Sequence, residues 1–132
     1  MSFVYALSKI LKVKEKSFIR SLKSFKGLPH RHEIFYKKNN KIFINDSKAT
    51  SFDATKSALK SNKNIFWIVG GLPKTGDKFK INGLKKNIIK AYVIGKYLKY
   101  FQKIFTNRID FELSKNMKNA IGSLFKDIRK LN

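Results

Sequence analysis

The run Ile65-Phe66-Trp67-Ile68-Val69 limits the fold more than any other part of this sequence. A strand made of consecutive apolar residues has no face for water, which suits a position in a parallel sheet sandwiched between helices. The flanking segments alternate to match. A helix is expected over Ser51 to Asn62, then this strand, the loop Gly70-Gly71-Leu72-Pro73-Lys74-Thr75-Gly76, a helix near Asn82 to Ile89, a strand Ala91 to Ile94 and a helix Lys96 to Phe105. A short strand near Ile109 to Phe111 precedes a last helix, Ser114 to Lys130, with Leu113, Met117, Ile121, Leu124, Phe125 and Ile128 at core spacing. The pattern is α/β: a three-layer, Rossmann-like domain with a mostly parallel sheet. Such a sheet normally follows a final amphipathic helix with another strand, so the chain reads as truncated before the last strand.

The segment before Asn45 follows other rules. Phe3 to Leu11 and Glu15 to Phe25 each place apolar residues on one helical face, and Gly27-Leu28-Pro29 stops the second helix. A domain boundary is expected there. Arg31 to Lys37 and Lys41 to Asn45 then read as an antiparallel hairpin, joined through Lys38-Asn39-Asn40, where asparagine tolerates left-handed backbone.

Composition narrows the function classes. The 132 residues, 42% of them apolar, suffice for one compact domain. No stretch approaches the roughly 18 apolar residues of a membrane span, and no signal-peptide cleavage pattern opens the chain, so a soluble, cytoplasmic protein with no membrane partner is expected. Without cysteine, and with only His30 and His32 as imidazoles, no metal site is expected. The net charge of +22 points toward polyanions. However, 26 lysines against 4 arginines, with 11 asparagines, match the residue usage of an AT-rich genome, and the lysines are spread along the whole chain. Specific nucleic-acid recognition favours arginine's planar fork, so a basic nucleic-acid-binding module is kept only as the alternative class.

Ligands of open α/β sheets bind beyond the carboxyl ends of the strands. Asn45-Asp46-Ser47-Lys48-Ala49-Thr50, Gly70 to Gly76 and Gly95-Lys96 occupy that edge. The first of these places a carboxylate, an ammonium and two hydroxyls at a helix start, where free N–H groups hold anions. A hairpin turning near Asn39 sets Arg31 opposite residues 46 to 48, bringing His30 and Arg31 beside Asp46 and Lys48. Plainer roles stand beside this one. Thr50 or Ser51 should cap the following helix, with Asp53 closing a capping-box-like pair, and Asp46 with Arg31 would serve as a surface ion pair. Gly70-Gly71 permits close backbone approach beside Lys74, whereas His32 and Glu33 read as solvated strand residues. There is no GxxxxGK phosphate loop, no HExxH and no Ser/His/Asp set, so no catalytic residue is assigned.

Three ordered runs carry a family resemblance: Ser24-Phe25-Lys26-Gly27-Leu28-Pro29-His30-Arg31-His32-Glu33, then Asn45 to Thr50, then Trp67-Ile68-Val69-Gly70-Gly71-Leu72-Pro73-Lys74. With these the chain resembles the Mur ligase family, on its D-glutamate-adding branch. The resemblance implies a three-domain, ATP- and Mg2+-dependent ligase of peptidoglycan precursor synthesis, monomeric at full length. Residues 1–26 would close its central ATP-binding domain, and residues 27–132 would form most of its C-terminal domain. It further implies joining of D-glutamate to UDP-N-acetylmuramoyl-L-alanine through an acyl phosphate. Another member, adding a different amino acid or extending folate, is the enzymatic alternative. By position, His30, Arg31, Asp46 and Lys48 would contact the nucleotide, and Thr50 and Lys74 the D-glutamate. Ser51 stands where the family often has Asn. The family's late Ser-Pro-Ala…Asp-Gln-Phe segment, its phosphate loop and its metal-holding region have no counterpart in the chain, so the chain alone is expected to be inactive.

Overall fold

The computed structural model describes residues 2–79, 81 and 83–131. Two helices, α1 (Ser2–Ile10) and α2 (Glu15–Ser24), come first, followed by the hairpin β1 (Glu33–Lys38) and β2 (Lys41–Asn45). Then come α3 (Phe52–Ser61), β3 (Ile65–Gly70), β4 (Ile88–Ile94), α4 (Leu98–Phe105), β5 (Phe111–Lys115) and α5 (Met117–Lys130), with helix and strand alternating except between β3 and β4. Strands β3, β4 and β5 form a parallel sheet in that order, while the hairpin is a separate antiparallel sheet. The α/β class, the parallel sheet and the hairpin all stand.

The hairpin is set by its turn. Asn39 and Asn40 both adopt positive φ, 47° and 59°, between the paired residues Lys38 and Lys41, as a two-residue turn matched to strand twist requires. One irregularity between Ile34 and Tyr36 shifts the register, leaving Glu33 opposite Asn45.

The parallel sheet is covered on both faces. On one side Leu59 from α3, Phe101 and Phe105 from α4 and the loop residue Phe79 pack with Ala91 and Val93 of β4. Phe52, Phe79 and Phe105 interlock, with centroids 4.7 Å apart for Phe52–Phe79 and 5.3 Å for Phe79–Phe105. On the other side Ala120 and Leu124 of α5 cover Tyr92.

Four element assignments are corrected. No α-helix spans the stretch Asn82 to Ile89; Asn82 itself lies outside the described residues, and the rest is a turn, a 3-10 segment Lys85–Asn87 and the start of β4. Pairing with β3 prevails over helical spacing, and buried Asn87 donates its side-chain amide to the Leu59 carbonyl at the end of α3, 2.9 Å away. Lys96 and Tyr97 precede α4. Strand β5 begins two residues later than expected, because the Ile109 N–H bonds back to the Phe105 carbonyl and closes α4. The last helix starts at Met117, capped by Asn116, so Leu113 belongs to β5. Of its proposed core stripe, Met117, Ile121 and Phe125 are largely exposed, since the three-strand sheet is too narrow to cover the whole face. Phe125 instead approaches Phe43 of the hairpin.

In α1 and α2 the apolar faces meet through Tyr5 and Phe18, 5.4 Å between rings. Much of both faces remains in solvent, with Phe3 79% and Ile10 75% exposed. Among the described residues no helix is long and apolar enough to cross a membrane.

Candidate functional site

The open end of the hairpin runs directly into the two segments that the sequence places at the site. Continuing the Glu33–Asn45 register outward sets His32 against Asp46 and His30 against Lys48. The hydrogen bonds follow that register. Lys48 N–H donates to the His30 carbonyl at 3.0 Å, and His32 N–H donates to Asp46 Oδ1 at 2.9 Å. The loop holding these groups is strained: His30 and His32, neither of them glycine, sit at φ 61° and 50°.

Two further side chains hold the loop. Glu33 Oε2 accepts the His30 N–H at 2.8 Å, and the Asn45 amide lies 2.7 Å from His30 Nδ1. Asn45 Oδ1 accepts from Ser47 N–H at 3.1 Å, which turns its Nδ2 toward the imidazole. Nδ2 is therefore the Asn45 atom that meets His30 Nδ1. Glu33 was expected to be a solvated strand residue; it is instead half-buried and bonded to the loop.

Arg31, His32 and Asp46 share a cleft of about 320 Å³ whose floor is the small-residue side of α3, including Ala54, Ser57 and Ala58. Small side chains leave the volume open, while Arg31 and Asp46 supply opposite charges at its rim. Asp46 spends one carboxylate oxygen on His32, and the other has no protein partner among the described residues. A vicinal diol with a nearby anionic group fits such a pair: the carboxylate accepts from hydroxyls and the guanidinium donates to phosphate. His30 and Lys48 belong to the loop that frames the cleft, but their side chains do not line it.

Thr50 and Lys74 are exposed and lie at the start of α3 and in the loop after β3. Their segments are tied together by a residue that sequence reasoning missed. Asp77 Oδ2 accepts the Phe52 N–H at 2.7 Å, and Asp77 N–H returns to the Lys74 carbonyl at 3.1 Å. Ser51 caps α3 as expected, accepting from Ala54 N–H at 3.1 Å. That geometry makes Ala54 the third helical residue, so Asp53 cannot close a capping box; Asp77 takes the second free N–H from 25 residues away. Loops after β3 and β4 also converge, because Gly70 backs onto the Ile94 carbonyl and Gly71 lies beside Gly95.

The most perturbed ionisable groups lie elsewhere. Near the amino ends of β4 and β5, Lys90 reaches Asp127 at 2.7 Å and Glu112 at 3.3 Å, and Tyr92 donates to Asp127 at 2.9 Å. Burial pulls Lys90 down, yet hydrogen bonds to Asp127 and Glu112 outweigh it and hold the ammonium above its ordinary range. Hydrogen bonds from Lys90 and Tyr92 hold Asp127 below the usual carboxylate range. This network fastens α5 to the sheet. No group of three or more His, Asp or Glu able to hold a metal occurs among the described residues.

No protein-family model matches the chain. Curated proteins do. The chain is 38% identical over 122 residues, 92% of its length, to a UDP-N-acetylmuramoylalanine–D-glutamate ligase of Wolbachia sp. subsp. Brugia malayi. It is 37% identical over 93% of its length to the protein of that name from Rickettsia felis, and 41% identical over 82% to the one from Nitrobacter hamburgensis. It spans 24%, 27% and 23% of those proteins respectively, about a quarter of each.

Proposed function

The chain is a relative of the Mur ligases that add D-glutamate, and from that premise we propose that it supplies the nucleotide- and D-glutamate-contacting part of such an enzyme. The observation that carries the reading is the junction of hairpin and α3. There Arg31 and Asp46, far apart in sequence, line one cleft.

In this reading Asp46 accepts hydrogen bonds from the ribose hydroxyls and Arg31 pairs with nucleotide phosphate, a match of planar donors to oxyanions. His30 and Lys48 frame the nucleotide. The Thr50 hydroxyl receives one carboxylate of D-glutamate, and the Lys74 ammonium receives the other. Residues 1–26 close the central ATP-binding domain and residues 27–132 belong to the C-terminal one; the apolar faces that α1 and α2 leave in solvent support that division. The complete cytoplasmic enzyme, a monomer, would phosphorylate the carboxylate of UDP-N-acetylmuramoyl-L-alanine with ATP. The D-glutamate amine would then displace phosphate from the acyl phosphate, leaving an amide, ADP and inorganic phosphate. Mg2+ would be held chiefly outside this chain, and the chain by itself would not turn over.

Amide NMR titrations test the assignment. ATP should shift His32, Asp46 and Ala49, with affinity about tenfold weaker in Arg31→Ala, the loss of one charge-assisted contact. D-glutamate should shift Thr50 and Lys74 more strongly than L-glutamate does. A folded chain whose cleft amides ignore ATP would contradict the nucleotide role.

A further inference from the structure

The strained loop beside the cleft needs something to hold it, and the last rung of the hairpin meets that need. Left-handed backbone at two non-glycine residues is strained and persists only where surrounding groups over-determine it. Here His30 and His32 bracket Arg31, so their backbone angles set the direction in which Arg31 leaves the chain. His32 is held by Asp46. His30 is held by Glu33 through its N–H, by Asn45 through its imidazole and by Lys48 N–H through its carbonyl. Glu33 and Asn45 are direct cross-strand partners, so one rung of the ladder grips both the backbone and the ring of one residue.

We propose that Glu33 and Asn45 are positioning residues that lock His30 in its left-handed conformation and thereby aim Arg31 into the cleft. Neither touches the nucleotide. Their effect on binding runs through the loop and rests on the nucleotide reading above, whereas their effect on the loop itself does not. The one-residue shift between Ile34 and Tyr36 gains a purpose from this: without it Glu33 would face Asp46 instead of Asn45, and the rung would not form.

The test uses the full chain and two readouts. The first is the backbone at His30, followed by its HN–Hα coupling and its Cα and Cβ shifts. The second is ATP affinity. Wild type and Glu33→Gln, which keeps an acceptor oxygen, should show positive φ at His30. The double variant Glu33→Ala/Asn45→Ala should lose it while the β3–β5 amides keep their wild-type shifts. ATP affinity should fall about tenfold in the double variant and recover most of that in Glu33→Gln. An unchanged His30 signature in the double variant would overturn the clamp, whatever ATP does. A lost signature in a chain whose wild type does not bind ATP would uphold the clamp and remove the nucleotide reading instead.

Discussion

Single atoms decide two positions in this fold. A Cβ at Gly70 would run into the carbonyl and side chain of Ile94, its partner at the ends of β3 and β4. Gly70→Ala should therefore destabilise the domain by about 1–3 kcal/mol, the usual cost of overpacking, visible as a lower urea midpoint at unchanged slope. At the start of α3, Ser51 and Asp77 each accept one free N–H. Replacing either with alanine should cost about 1 kcal/mol in thermal or urea unfolding. Asp77→Ala should also broaden the Lys74 and Thr75 amides, a response that Ser51→Ala should not give. The Ser51 cap was legible in the sequence because a cap is a local pattern. Asp77 was not, because its partner is 25 residues away and nothing near Asp77 announces it. Glu33 was misread for a related reason: strand alternation describes which face a side chain is on, and says nothing of a loop folding back over the strand's end.

At the level of elements, α5 owes its seat to two unlike contributions. Ala120 and Leu124 bury against Tyr92, and Asp127 closes the ion network with Lys90 and Glu112. Burial tends to raise Glu112, but the Ser123 and Ser114 hydroxyls and Lys90 outweigh it and leave it below its ordinary 4.5; Asp127 is held below 3.8 by Lys90 and Tyr92. Both carboxylates are depressed in the fold, so they stabilise it fully above about pH 4.5 and that contribution is lost as pH falls through the depressed values. Lys90 is raised, so its share is present below 10.5 and is lost only as pH rises through its higher folded value. Asp127→Asn should lower stability by about 1–2 kcal/mol at pH 7. Melts followed from pH 7 to pH 3 should show the gap to wild type closing in acid; a constant gap would mean that the network contributes no pH-dependent stability. The strand–helix alternation and the hairpin were readable from hydrophobic period and turn chemistry. The stretch before β4 was not, because Leu84 and Ile88 stand four apart as on a helix, whereas Ile88 and Ile89 extend once β3 lies alongside.

For the molecule as a whole, charge and similarity point to different partners, and each makes a different prediction. A net charge of +22 should give retention on heparin and on DNA alike, falling together as salt rises. Selectivity for one nucleic-acid sequence, surviving at physiological salt, would revive the binding-module alternative. The convergence of Arg31 with Asp46 was readable before any relative was considered, since hairpin register alone brings those segments together. The cleft floor was not readable, because Ala54, Ser57 and Ala58 are unremarkable until the loop is seen lying across them. The most direct test places residues 27–132 into an intact D-glutamate-adding ligase, with the host's own flanking segments retained, and measures D-glutamate-dependent ADP release. The chimera should turn over, and Arg31→Ala, Asp46→Ala or Lys74→Ala within the graft should each reduce turnover at least about tenfold. A folded chimera that releases no ADP, or one indifferent to all three substitutions, would contradict the assignment of this cleft.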